Sequence, residues 1–137
     1  MTYQLKVKRV YEPEQADDGY RILADRLWPR GESKIKADLD EWPKEAAPSK
    51  ELREAFHHGQ MDYPVFRKNY LKELQDNPKA IELRNEIARK LLNQNVTLLY
   101  GSKNQKENNA EVLREWIEEN RKAEPDSESP EDSDKRQ

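Results

Sequence analysis

The chain has 137 residues, 39% of them charged and 34% hydrophobic, with a net charge of −3, which suits one ordinary domain with a modest core. Cysteine is absent, which excludes disulfides, thiol nucleophiles and cysteine-ligated metal. Residues 123–137, AEPDSESPEDSDKRQ, hold six acidic and two basic residues and nothing that seeks a core, so they read as a disordered acidic tail; residues 1–122 then carry 23 basic against 22 acidic groups. Near neutrality argues against a broad nucleic-acid surface, and the lack of an apolar leader or membrane-length run makes a soluble cytoplasmic protein, without membrane contact, the expectation.

In chain order, Leu5, Val7 and Val10 alternate with Lys6, Lys8 and Arg9, the pattern of a half-buried strand. Glu12 to Gly19 reads as a polar loop too short for a full crossover helix. A second strand is expected from Tyr20 to about Leu27, stopped by Pro29 and Gly31. Ser33 is placed to cap a short helix carrying Ile35, Leu39 and Trp42, which Pro43 interrupts. Another short helix begins at Ser49, with Leu52, Ala55 and Phe56 on its apolar face and His57 and His58 at its exit.

Asp62 to about Gln75 spaces Tyr63, Phe66, Tyr70, Leu71 and Leu74 as one helical face, and Pro78 to about Asn93 does the same with Ala80, Leu83, Ile87 and Leu91. The run VTLLY, Val96 to Tyr100, is short and apolar enough for a buried strand. A last helix from about Asn108 to Arg121 presents Ala110, Leu113, Trp116 and Ile117. Strands separated by helices predict a single α/β domain over residues 1–122: a small, mainly parallel sheet of three strands or slightly more, flanked by helices.

Function is expected at the end of the second strand. Ile22, Leu23 and Ala24 form a buried-strand run that passes straight into Asp25, Arg26 and Arg30, and charge leaving a core must pair internally, reach water or meet a ligand. Ligands of open α/β sheets sit outside the carboxyl ends of the strands, which is where this group falls. Arg26 and Arg30 each offer a fork suited to phosphate or carboxylate, with Asp25 as orienting group or base. A closed Asp–Arg bridge, leaving a structural or interaction protein, is the competing reading.

A second group, Ser102, Lys103, Asn108 and Asn109, follows Gly101 after the buried third strand and leads into the last helix, a setting suited to an anion although not a P-loop. His57 is a candidate general acid or base if its helix end reaches the sheet edge; adjacent His57 and His58 make poor joint ligands, and no metal site is expected. Trp28, between the two arginines, could offer a stacking face.

At these residues the chain resembles the DUF488 family, in its short YeaO-like subgroup. The matching segments are KRVYEP, DGYRILADRLWPRG, DEWPKEAAPSKELREAF, YPVFRKNYLKEL, VTLLYGSKN and NNAEVL, spanning about Leu5 to Trp116. The resemblance implies a compact α/β domain and supplies neither a reaction nor a cofactor. It marks Asp25, Arg26, Trp28, Pro29 and Arg30 as the signature, followed by Ser49, Arg53 and His57. Similar chains often have Asn-His-Ala where Asn108-Asn109-Ala110 stands here, and asparagine cannot titrate near neutral pH.

The leading expectation is therefore binding of an anionic small molecule, a nucleotide or phosphorylated metabolite, at the carboxyl edge of the second and third strands. Arg26, Arg30, Arg53 and Lys103 would serve the ligand, and Asp25 or His57 any proton transfer. The alternative from another class is a nucleic-acid-binding or regulatory module using Arg21, Arg30, Lys34 and Lys36 as a basic strip.

Overall fold

A computed structural model describes residues 3–123, and the expected acidic tail lies almost wholly outside that range. Three strands, β1 (Leu5–Arg9), β2 (Tyr20–Leu23) and β3 (Val96–Tyr100), form a wholly parallel sheet in the order β1-β3-β2. The most apolar strand takes the middle, with every residue buried, since only a central strand between two neighbours must be covered on both faces. Leu5 lies opposite Val96 and Arg9 opposite Tyr100 on one side; Tyr20 and Leu23 face Val96 and Leu99 on the other.

The helices are α1 (Lys34–Ala37), α2 (Lys50–His57), α3 (Tyr63–Gln75), α4 (Pro78–Lys90) and α5 (Asn109–Ala123). Their starts follow the sequence chemistry. Ser49 Oγ accepts the Leu52 N–H at the head of α2, and Asp62 and Asn77 do the same for α3 and α4, each with proline in the first turn. None of the described helices is long and apolar enough to cross a membrane.

The two sheet faces are covered differently. Ile22, Val96, Leu98 and Tyr100 share one continuous core with Leu52, Phe66, Tyr70, Leu83, Ile87, Leu113 and Ile117 from the four longer helices. Leu23 and Leu99 face the other way, into a smaller cluster with Val10 and Ala37, edged by Tyr11, Trp28, Leu39 and Trp42.

Three local expectations are corrected. The second strand ends at Leu23, not near Leu27: Ala24 N–H makes the last bond across to Leu99, and Asp25 then turns away, its carbonyl taken by the Trp42 indole N–H at 2.8 Å. The helix after Ser33 is a single turn that does not reach Leu39 or Trp42. Asp38 adopts a left-handed conformation, Ile35 is 92% exposed, and the chain runs on beside β2, where the Leu23 N–H bonds Glu41 O and the Asp40 N–H bonds Arg21 O. That pairing shields the outer edge of β2, which would otherwise present unpaired backbone groups.

Arg21, expected on a basic surface strip, is instead 1% exposed. It pairs with the buried carboxylate of Asp18 and donates to Ala37 O at 2.7 Å and to Asp38 O at 3.2 Å. The strip thereby loses one of its four cations to the interior.

Candidate functional site

A cavity of about 280 Å³ opens at the carboxyl ends of β2 and β3, and two loops and the α2–α3 corner build it. From the loop after β2 come Asp25, Arg26, Trp28 and Arg30; from the loop after β3, Gly101, Ser102, Asn108 and Asn109; from α2, Arg53 and His57, one helical turn apart and so on one face. Segments separated by more than seventy residues in sequence therefore line one space. Of the expected site residues, only Lys103 stands apart: it is exposed and does not line the cavity.

Asp25 is the organising group. Its Oδ2 accepts the Gly101 N–H at 2.9 Å and its Oδ1 accepts the Asn109 side-chain amide at 3.1 Å, while the same amide nitrogen donates to Ala24 O at 3.0 Å. The carboxylate thus ties the end of β2 to the end of β3 and to the start of α5. Glycine at position 101 permits this: a Cβ there would stand 3.1 Å from Asp25 Oδ2 and 3.5 Å from Pro29.

Burial pushes the Asp25 carboxyl above its ordinary value of 3.8, opposed by the Asn109 and Gly101 hydrogen bonds and by the neighbouring His57 and Arg53 side chains. A carboxyl raised in the folded state contributes stability that is complete below its unfolded value and is lost as pH rises through its folded value. The stability difference between wild type and Asp25→Asn, from urea unfolding at a series of pH values, is therefore expected to shift toward the variant as pH climbs above about 4. A difference constant between pH 3 and 7 would refute the assignment.

Neither arginine of the strand-end group is consumed by a carboxylate. Among the described residues no ion pair joins Asp25 to Arg26 or Arg30; Arg26 Nε donates to Pro48 O at 2.9 Å, and Arg30 is exposed at the rim. Two further donors are left over. The Ser102 hydroxyl oxygen and Arg53 Nε are both buried without a hydrogen-bond partner, and both residues line the cavity. Arg53 meets only a long contact, 3.7 Å, between its terminal nitrogen and Glu54. Buried donors are almost always satisfied in a folded protein, so two unpartnered ones in residues that line the same cavity set this wall apart.

The other expected residues play supporting parts. Asn108 is buried, its Oδ1 accepting the Glu111 N–H and its amide donating to Asn104 O, so its side chain is spent on holding α5 and its loop. Trp28 donates its indole N–H to Glu32 O at 2.7 Å and meets Trp42 edge-on, 5.3 Å between ring centres, while still contributing to the cavity wall.

Sequence reasoning missed the supports at the end of β1. Arg9 Nε donates to Ser102 O at 2.9 Å and its guanidinium lies 4.6 Å above the Tyr11 ring; the Tyr11 hydroxyl donates to Arg30 O at 2.6 Å. Together they clamp both site loops. Neither residue's own pattern signals this role; both only fall within the KRVYEP segment of the resemblance. Pro48, Phe56 and Phe66 complete the wall, the two phenylalanines stacked at 4.4 Å. Among the described residues no trio of histidine and acidic side chains is placed to hold a metal ion.

With the site described, its relatives can be compared. A family model described as the inactive DUF488-N3 subclade matches residues 4–134. The chain belongs to this DUF488 subclade. The uncharacterized protein YeaO of Escherichia coli strain K12 is 50% identical over 113 residues, covering 82% of this chain and 96% of its own. Two further uncharacterized proteins, Mb3100c of Mycobacterium bovis and Rv3073c of Mycobacterium tuberculosis H37Rv, are each 42% identical over 89 residues, 65% of this chain and 75% of theirs. No solved structure matches the chain.

Proposed function

We propose that this DUF488 protein binds an anionic small molecule in the cavity beside Asp25, and that binding, not turnover, is what the site performs. The observation that carries this reading is the gathering of three guanidinium groups, Arg26, Arg30 and Arg53, on one cavity, where Arg26 and Arg30 are not neutralised by carboxylates. Guanidinium is the group best shaped to hold an incoming carboxylate or phosphate.

Support for binding without chemistry comes from Asp25 and its neighbour. Both Asp25 oxygens are already engaged by N–H donors, and Asn109, which holds one of them, cannot exchange a proton near neutral pH. The description of the matching subclade as inactive agrees with that arrangement. His57, exposed at the mouth, then serves as an additional positive or hydrogen-bonding group at the rim.

The test is a thermal-shift and calorimetric panel of inorganic phosphate, phosphate monoesters and small carboxylates against wild type, Arg30→Gln and Arg53→Gln. A binder raises apparent stability by mass action. Losing one charge-assisted hydrogen bond, worth about 1.5–3 kcal/mol, is expected to weaken affinity about tenfold or more in each variant. Failure of every anion to shift wild type, or equal affinity in all three proteins, would overturn the reading.

A further inference from the structure

The cavity also carries information about what kind of anion it would take. Its size, about 280 Å³, is just under the roughly 300 Å³ at which pockets for drug-sized ligands begin. That is room for one ring system with a short charged arm, not for a ring together with a chain of phosphates. Its charge is equally limited. Three guanidinium groups, Arg26, Arg30 and Arg53, stand against two carboxylates, Asp25 and Glu107, which leaves one net positive charge with His57 neutral. One negative charge balances the lining; three or four would be left facing Asp25 and Glu107.

The walls point the same way. Tyr11, Trp28, Pro29, Pro48, Phe56 and Phe66 all line the cavity, so flat, apolar surfaces stand among the polar groups. A polyphosphate or a sugar phosphate gains nothing from such walls and would lose water against them. A planar ring gains both area burial and ring–ring contact. Among the polar groups, Arg53 stands close enough to Asp25 for its charge to act there, so a guanidinium and a carboxylate share one part of the cavity.

Resting on the anion-site reading above, we infer that the ligand class is a small aromatic monocarboxylate: one ring system lodged among the aromatic and proline side chains, one carboxylate held by the Arg53 guanidinium. A free ring nitrogen or hydroxyl on such a molecule would find an acceptor in Asp25, whose oxygens each retain a lone pair beyond the bonds to Gly101 and Asn109.

The experiment uses the full chain and five probes: indole-3-acetate and phenylacetate as aromatic monocarboxylates, indole-3-acetamide as the uncharged match, inorganic phosphate as a head group alone, and adenosine triphosphate as a ring with a polyphosphate. Calorimetry gives the affinities, and with phenylacetate, which does not emit in the tryptophan range, a change in Trp28 fluorescence, assigned by comparison with Trp28→Phe, places the ring in the cavity. The expected result is that both carboxylates bind at least about tenfold tighter than the amide, phosphate and adenosine triphosphate, and that Arg53→Gln removes the preference over the amide.

Each contrary outcome is separable. If phosphate or adenosine triphosphate binds as well as the aromatic carboxylates and Arg53→Gln weakens it, the ligand class is wrong while the anion site stands. If the amide matches its carboxylate, the anion site itself is wrong and the cavity is merely apolar. If none of the five binds, both inferences fall.

Discussion

Gly19→Ala is expected to cost more than about 4 kcal/mol, a large share of the roughly 5–15 kcal/mol by which a domain is stable. Gly19 has φ +67° and ψ −130°, a backbone conformation that residues with a side chain rarely adopt. A Cβ at that position would also stand 2.0 Å from the carbonyl oxygen of Asn95 and 2.6 Å from its carbon. These are backbone atoms and cannot swing aside. Asn95 is moreover fixed on every side: its carbonyl accepts the Tyr20 N–H, its Oδ1 accepts the Gln4 N–H at 2.8 Å, and its amide donates to Asp17 O at 2.8 Å. Relieving the clash means prying apart the amino ends of all three strands. Urea unfolding followed by circular dichroism checks this, and a loss below about 1 kcal/mol would show that the β2 entry is far more pliable than its geometry implies.

Arg21→Met is expected to destabilise by about 3 kcal/mol, the low end of the cost of breaking a buried ion pair, because Lys8 still pairs Asp18. Asp18 and Arg21 are each 1% exposed, and Asp18 also takes the Lys8 ammonium at 3.0 Å. Methionine fills most of the volume but leaves the carbonyls of Ala37 and Asp38 without their donor. Burial pushes the Asp18 carboxyl up, but the Lys8 hydrogen bond, the Gln15 N–H and the charges of Lys8 and Arg21 together hold it below its ordinary value. Stability from such a group is complete above the unfolded value and is lost as pH falls through the lower folded value. The variant should therefore show a shallower loss of stability between pH 4 and pH 2 than wild type, besides its lower midpoint in urea at neutral pH. An unchanged acid slope would mean that Lys8 alone sets the charge state of Asp18.

The two changes act on the same construction from different ends. Asp18 sits in the link that carries the chain from β1, past the central strand, to β2; its backbone carbonyl accepts the Thr97 hydroxyl at 2.7 Å while its side chain gathers Lys8 and Arg21. This link is only ten residues long and contains no more than a single 3₁₀ turn, Ala16–Asp18. A crossover helix would have covered this face with apolar side chains. Here an ionic cluster fills part of that role, and the segment after Ser33 closes over it through Ala37 and Asp38. Displacing β2 would carry Asp25 with it and so loosen the junction of the two site loops.

Much of this was legible in the residue order. Spacing and caps place α2 through α5 within a few residues, because a helix start depends on a short polar side chain reaching a backbone N–H two or three positions on, as Ser49, Asp62 and Asn77 do. The run VTLLY identifies the central strand, because only burial on both faces tolerates five such residues in sequence. Asp25, Arg26 and Arg30 stand out because charge directly after an apolar strand demands an explanation. Gly101, Ser102 and Asn109 follow, because loops leaving the same edge of a parallel sheet must come together.

What the residue order withheld is whatever depends on a partner distant along the chain. Arg21 alternates with apolar neighbours just as a solvent-facing strand residue does; only the return of residues 37–41 over it turns that face inward. Lys103 and Ser102 are adjacent and equally polar, yet one is exposed and the other carries a buried hydroxyl in the cavity. Arg9 and Tyr11 give no local sign that they clamp loops some twenty and ninety residues away. Local pattern thus determined the elements, their caps and the strand end at which charge emerges, because those follow from backbone geometry and from the cost of burying polar groups within a few residues. The strand order, the ionic filling beneath β2 and the choice of which polar groups were left without partners were decided by the tertiary structure alone, because each is a contact between segments whose distance along the chain sets no limit on which one meets which.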